Sequence, residues 1–123
     1  MESAFAEFQG GNWWIIRVAW LYDDRGQNFL QTMLRLGQSG KALRVVDDQW
    51  GAPTAAGPLA NALVELALNP QRVPAGIWHY GTLGPVTWYE FARAIFEESG
   101  LKVDVSPCTT AEYPTPAPRP TYS

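Results

Sequence analysis

The chain holds one histidine, His79, and one cysteine, Cys108, so acid–base or nucleophilic chemistry has few side chains to draw on. His79 lies in the apolar run Gly76-Ile77-Trp78-His79-Tyr80, where an imidazole reads as a hydrogen-bonded core residue before it reads as a base. Cys108 sits on a proline-rich segment with no second thiol, and an incidental cysteine is the simpler reading than a nucleophile. Asp47 and Asp48 are adjacent carboxylates of a kind that binds divalent cations. Neighbouring side chains of an extended chain point apart, however, so a solvated or turning loop is expected instead. Tyr89 and Arg93 stand four residues apart, where helix geometry alone brings side chains together. Arginine does not exchange protons as lysine does, so a surface contact is the expectation. Gly37-Gln38-Ser39-Gly40 has the wrong spacing for a nucleophile elbow.

Cofactor chemistry is equally sparse. A dinucleotide-binding turn needs closely spaced glycines directly after a first strand, and neither Gly37/Gly40 nor Gly81/Gly84 extends to that pattern. Reduction by a tyrosine–lysine pair needs Tyr-x-x-x-Lys, in which the lysine depresses the tyrosine pKa. The only lysines are Lys41 and Lys102, and Gly37 and Glu98 stand four residues before them. No complete catalytic set is visible.

The elements that must position any site alternate along the chain. Trp13 to Trp20 is a nearly continuous apolar run, as in a strand buried on both faces of a parallel sheet. Phe29, Leu30, Met33, Leu34 and Leu36 recur at helical spacing, and Gly37 and Gly40 close that helix. Leu43 to Val46 reads as a short strand leading into the loop Asp47–Thr54. Leu59, Leu63, Leu66 and Ala67 mark a second amphipathic helix that stops at Asn69-Pro70. Gly76 to Tyr80 is a third strand. Thr87-Trp88-Tyr89-Glu90 is a capping box opening a third helix, which ends at Gly100. Leu101 to Val105 alternates like a half-exposed strand, and from Pro107 onward five prolines predict an extended arm over residues 107–123. This order predicts an α/β fold, a partial Rossmann-like strand–helix alternation with a proline-rich carboxy-terminal arm. Residues 1–123 read as a single domain, one that is part of a larger architecture.

Composition narrows the function classes. The 123 residues are 46% hydrophobic and 17% charged, which suits a folded chain rather than a disordered one. Nine basic against twelve acidic residues, scattered without a basic cluster, argue against nucleic acid or an anionic membrane surface as partner. The longest apolar runs fall well short of the ~18 residues of a membrane span, and the first residues lack the features of a signal peptide. Cysteine usage fits a reducing compartment, and a cytoplasmic location is expected.

Several segments, taken in order, resemble one known family. Trp14-Ile15-Ile16-Arg17-Val18-Ala19-Trp20-Leu21-Tyr22, Asn28-Phe29 with Thr32-Met33-Leu34, and Val46-Asp47-Asp48-Gln49 through Gly51-Ala52-Pro53-Thr54 are similar to dTDP-4-dehydrorhamnose reductases. Gly76 to Tyr80, Trp88-Tyr89-Glu90-Phe91-Ala92 and Tyr113 to Pro120 continue the likeness. It covers nearly everything after residue 12. Residues 1–11 resemble the end of a helix preceding a late Rossmann strand. The resemblance implies an extended short-chain reductase that uses NADPH or NADH to reduce a 4-keto-6-deoxy sugar nucleotide, the last step to dTDP-L-rhamnose. It covers only the carboxy-terminal, substrate-binding half. The glycine loop and Tyr-x-x-x-Lys have no counterpart here, so no cofactor is expected on this chain alone.

By position, the resemblance places Trp20 against the bound sugar, with its indole face available for stacking. It places Asn28 and Phe29 at a helix start near the diphosphate. Gln49, Pro53 and Thr54 fall in a nucleotide-facing loop, and Arg119 on the arm where its charge would meet phosphate. Each also has a purely structural reading: Trp20 and Phe29 as core, Pro53 as a turn former, Thr54 as a helix cap. The implied partners are a dTDP-sugar nucleotide, a separate cofactor-binding half and a second copy of the chain. Two other functions stay open on sequence: a non-enzymatic regulatory or scaffold module, and an unrelated hydrolase using His79 or Cys108.

Overall fold

Trp14-Ile15-Ile16-Arg17 carries the aromatic and β-branched residues that favour a pleated backbone. In the computed structural model, which describes Glu2 and residues 12–123, this run forms strand β1 (Trp14–Arg17), followed by β2 (Leu21–Tyr22). Helix α1 (Phe29–Gln38) starts where the Asn28 side chain accepts a 3.1 Å hydrogen bond from the Gln31 amide. Strands β3 (Leu43–Val46), β4 (Trp50–Gly51) and β5 (Thr54–Ala55) precede α2 (Ala56–Leu68) and a 3-10 turn at Pro70–Arg72. Strands β6 (Gly76–His79) and β7 (Val86–Thr87) lead into α3 (Trp88–Ser99). There the Thr87 hydroxyl and the Glu90 carboxylate each accept the other residue's amide, at 3.1 and 2.8 Å. Gly100, at φ 69°, ends the helix in the left-handed conformation that lacks a Cβ penalty. Strand β8 (Val105–Cys108) and a 3-10 turn at Thr110–Glu112 complete the order.

The strands pair two by two. β1 runs parallel to β6, β2 to β5 and β3 to β8, while β4 and β7 are antiparallel. The architecture is α/β, with parallel strands alternating with helices. One core holds it together: Met33 of α1, Val45 of β3, and Ala92, Ile95 and Phe96 of α3 are buried together. Gly37, inside α1, lets that helix approach, since a methyl group there would lie 2.9 Å from Phe96 Cε1 and 3.0 Å from Val103 Cγ2.

Four expectations are corrected. The expected strand over 13–20 stops at Arg17, because Trp20 takes a left-handed backbone angle that turns the chain into β2. Instead of a strand covered on both faces, β1 has one strand neighbour among the described residues, and its own residues are half-buried or exposed. The strand expected over 101–105 lies at Val105–Cys108, so the first two residues of the expected arm belong to the ladder. Pro107 is tolerated because the carbonyls of Asp104 and Cys108 accept from Leu43 and Asp47, which places the proline nitrogen on the open edge. Helix α2 buries none of its residues, and Leu68 is 71% exposed. The helix end expected within residues 1–11 lies outside the described residues, Glu2 excepted. No helix among the described residues is long and apolar enough to cross a membrane.

Candidate functional site

Trp20 is the only non-glycine among the described residues with positive φ, at 47°. Such a backbone costs on the order of 1–3 kcal/mol and persists only where surroundings hold it. Three contacts do so. Its carbonyl accepts a 3.1 Å bond from the Thr54 amide, tying the turn to β5. Its ring stacks on Trp88 with centroids 3.5 Å apart and planes 14° from parallel. Its other face lies against Gly51, where an added methyl would fall 2.4 Å from Cε2 and 2.8 Å from Cδ2. Glycine is required there by space alone. Phe29 extends the aromatic cluster, 4.6 Å from Trp88 and 5.4 Å from Phe91.

The carboxy-terminal arm closes the other side. The β3–β8 ladder ends at the pair Val46↔Cys108, so the residues just beyond each strand face one another. Both Asp48 carboxylate oxygens accept the Thr110 amide at 2.9 Å, and Oδ1 also accepts the Thr110 hydroxyl at 2.6 Å. Arg44 donates to Glu112 at 2.6 Å, and Glu112 accepts from the Thr109 amide at 2.9 Å. At the far end, the Trp50 amide donates to the Thr121 carbonyl at 2.7 Å, and the Ser123 amide donates to the Trp50 carbonyl at 2.8 Å. Anchored twice, the arm spans a cleft of about 330 Å³. Phe29, Met33, Leu43 and Trp88 give it apolar walls, and polar groups come from Arg44, Gln49 and Arg119 together with the hydroxyl residues Thr32, Tyr113 and Thr115. A cavity of about 60 Å³ adjoins it, bounded by Trp20, Trp50, Pro120 and Ser123, and Gln49, Trp88 and Arg119 line both.

Of the seven residues singled out from sequence, Trp20, Phe29, Gln49 and Arg119 meet around these two cavities. Asn28, Pro53 and Thr54 line neither. The Asn28 amide donates to the carbonyls of Asp23 and Arg25, both at 2.9 Å, and its oxygen caps α1, so its polar atoms serve the chain. The Pro53 carbonyl accepts from the Thr82 hydroxyl at 3.1 Å, and Thr54 is 1% exposed with its hydroxyl on the Ala52 carbonyl. Trp20 presents an edge to the small cavity, with both ring faces covered, which corrects the expectation of a face free for stacking. Sequence reasoning missed Trp88, Arg44, Trp50 and Thr110. Trp88 follows the Thr87 cap at the start of α3, and nothing local in the sequence marks it as lining a cleft.

The remaining chemistry-bearing groups stand apart. His79 ends β6 exposed, which corrects its expected place in a core. Cys108 is buried, and burial pushes its thiol pKa up, away from nucleophilic use. No hydrogen bond joins the two among the described residues. Asp47 accepts the Thr87 hydroxyl at 2.6 Å, and no cluster of His, Cys, Asp and Glu among the described residues could hold a metal ion. Arg119 has no carboxylate partner among the described residues, unlike Arg44. An apolar-walled cleft with one unpaired guanidinium suits a ligand that joins a flat apolar body to an anion.

The sequence pattern of the RmlD substrate binding domain matches residues 1–123. The chain belongs to this family. It is 47% identical over 109 residues to the spore coat polysaccharide biosynthesis protein SpsK of Bacillus subtilis, an alignment covering 89% of this chain and 37% of that protein. Against the dTDP-4-dehydrorhamnose reductase of Escherichia coli K12 the identity is 41% over 115 residues, covering 86% of this chain and 38% of the enzyme. The solved dTDP-4-dehydrorhamnose reductase of Bacillus anthracis, in complex with NADP, superposes with a TM-score of 0.87 at 35% identity, covering 98% of this chain and 42% of that one. The RmlD-type chain therefore spans about two fifths of the length of the relatives it matches.

None of the three α-helix starts among the described residues of this RmlD-type domain has the form of a pyrophosphate-binding turn. Pyrophosphate needs free amides at a helix start reached through a glycine-rich turn. Asn28 closes α1 and the Thr87–Glu90 box closes α3, while α2 begins Ala56-Gly57-Pro58 with a missing N–H and a single glycine.

Two outcomes follow from this geometry. Gly51→Ala forces the Trp20 ring out of its stack, lowering stability by about 1–3 kcal/mol and changing the near-ultraviolet circular dichroism of the tryptophans. An unchanged spectrum with unchanged urea midpoint contradicts the packing described. Glu112 is held at about 2, below its usual 4.5, first by the Thr109 amide and then by Arg44. A depressed carboxyl contributes stability above 4.5, and that contribution is lost as pH falls toward about 2. Urea midpoints measured across that window should fall less steeply for Glu112→Gln than for the wild type.

Proposed function

We propose that this chain is the sugar-nucleotide-binding part of a dTDP-4-dehydrorhamnose reductase, taking a dTDP-sugar in the cleft under the carboxy-terminal arm. One observation carries the reading: the unpaired Arg119 guanidinium shares a single cleft with Gln49, Phe29 and Trp88, next to the edge of Trp20. The base or sugar would lie along the apolar wall, and the diphosphate would meet Arg119. Hydride from NADPH or NADH, and the proton, would come from a cofactor-binding half outside these residues, in a cytoplasmic enzyme. The matched reductases support this reading, since each is more than twice as long as the aligned part.

Calorimetry with dTDP and dTDP-rhamnose tests it. Saturable one-to-one binding is expected, weakened roughly tenfold in Arg119→Ala, as for loss of one charge-assisted hydrogen bond. The chain alone should leave NADPH unoxidised when offered a dTDP-4-keto sugar. Absence of any binding, or turnover by the pure chain, removes the proposal.

The same reading includes an association surface. Among the described residues, strands β1 and β6 pair only with each other, and Leu63, Val64 and Leu68 of α2 and Ile77 and Trp78 of β6 are exposed apolar residues. In a full-length relative this face is where the cofactor-binding half would pack; in the isolated chain a second copy would cover it. Sedimentation should show a dimer or larger species at micromolar concentration, and a monomer throughout that range counts against the proposal.

A further inference from the structure

Gln49 is 7% exposed and lines both cavities, and its amide is the deepest polar group of the cleft. An amide can present either its carbonyl or its NH2 to a ligand, and the two choices select opposite ligand chemistry. The direction is decided two residues away in space. Asp48, as a carboxylate, only accepts hydrogen bonds, and its Oδ1 lies 2.6 Å from the Thr110 hydroxyl, whose hydrogen must therefore point to Asp48. That hydroxyl is left with lone pairs alone for its other neighbour. Gln49 Nε2 sits 2.9 Å from it and donates. With the amide reversed, Oε1 would face a lone pair with no hydrogen between them.

We infer that Thr110 is a positioning residue, which fixes the Gln49 amide so that the cleft offers its ligand a carbonyl acceptor. Gln49 Oε1 accepts no hydrogen bond from the described residues, and no enclosed side-chain nitrogen or oxygen among them lacks a partner, so this oxygen opens on the cavity. The cleft thus pairs a fixed acceptor at Gln49 with a donor at Arg119. It selects a ligand that carries an N–H or O–H on its body and an anion at its end. A body with only acceptors at that point meets repulsion, leaves two polar groups unpaired and binds poorly. Thr110 Oγ1 reaches the ligand only through Gln49. The relay also explains why the acidic pair is split between two tasks: Asp47 holds the Thr87 hydroxyl at the start of α3, and Asp48 holds Thr110.

This inference deepens the proposed function and rests on it for the identity of the ligand, though not for the relay itself. The test uses the whole chain with dTDP-rhamnose as probe. Thr110→Val keeps the shape and the backbone bond to Asp48 but removes the hydroxyl, and should weaken binding about five- to tenfold. Thr110→Ser restores the hydroxyl and should bind within about twofold of wild type. In a Gln49→Ala background, Thr110→Val should add no further loss, because the residue acts through Gln49. Equal affinity of wild type and Thr110→Val, or an undiminished Thr110→Val effect in the Gln49→Ala background, overturns the relay. A ligand-free readout separates the two ideas. By NMR, the Gln49 side-chain amide protons should exchange slowly in wild type and Thr110→Ser and faster in Thr110→Val. If dTDP-rhamnose fails to bind while this pattern holds, the proposed ligand is wrong and the relay stands; if all three exchange alike, the relay is wrong whatever binds.

Discussion

The parallel ladder between β3 and β8 is the constraint from which the site follows. It joins residues more than sixty positions apart in a register that matches Leu43 to Val105 and Val46 to Cys108. Once that register is set, the neighbours on and beyond the strands follow: Asp48 and Gln49, past β3, face Thr110, and Arg44, within β3, reaches Glu112. The proline-rich arm leaves the ladder already aimed across α1 and α3, and the Trp50 backbone catches its far end. A one-residue slip would turn every one of these side chains to the opposite face. The core beneath supports the ladder, because Val45 of β3 is buried against Ile95 and Phe96.

Aromatic packing closes the site from the other direction. Trp20 occupies a backbone conformation that tryptophan rarely adopts, and the stack on Trp88 together with the Gly51 contact offsets the strain. The result is a rigid edge rather than an open platform. Indole faces that are both occupied by protein are not open to a ligand, and Gln49 Oε1 and the Arg119 guanidinium are among the polar groups of the cleft left without a partner among the described residues. Such a site is selective by geometry more than by contact area.

The rest of the molecule is less finished. Helix α2 and the β1–β6 pair lie away from the buried cluster and expose apolar side chains, among them Leu68 and Trp78. The chain spans about two fifths of its relatives' length. The two regions thus differ in kind: the cleft is lined by the buried core and the arm, while the β1–β6 face lies outside that cluster.

Much of the local structure was legible in the residues themselves. The Thr87–Glu90 capping box, the helical spacing of Phe29, Met33 and Leu36, and the β-branched run at Leu43–Val46 each point to one conformation, since caps and periodicity act within a few residues. The α/β class and the family resemblance followed from their order. Other features needed three dimensions. Pro107 looked like the start of an arm until an open strand edge made its missing N–H harmless. Asn28 and Thr54 looked like ligand contacts until backbone carbonyls from Asp23, Arg25 and Ala52 claimed their polar atoms. Trp88 and Thr110 gave little sign of a role, because theirs depend on neighbours dozens of positions away. Sequence alone determined which segments form the helices and where α3 begins and ends, for those choices are made by local hydrogen bonds and side-chain periodicity. Only the tertiary structure decided which residues share the cleft and which way its amide points, because both depend on a long-range strand register that no local pattern encodes.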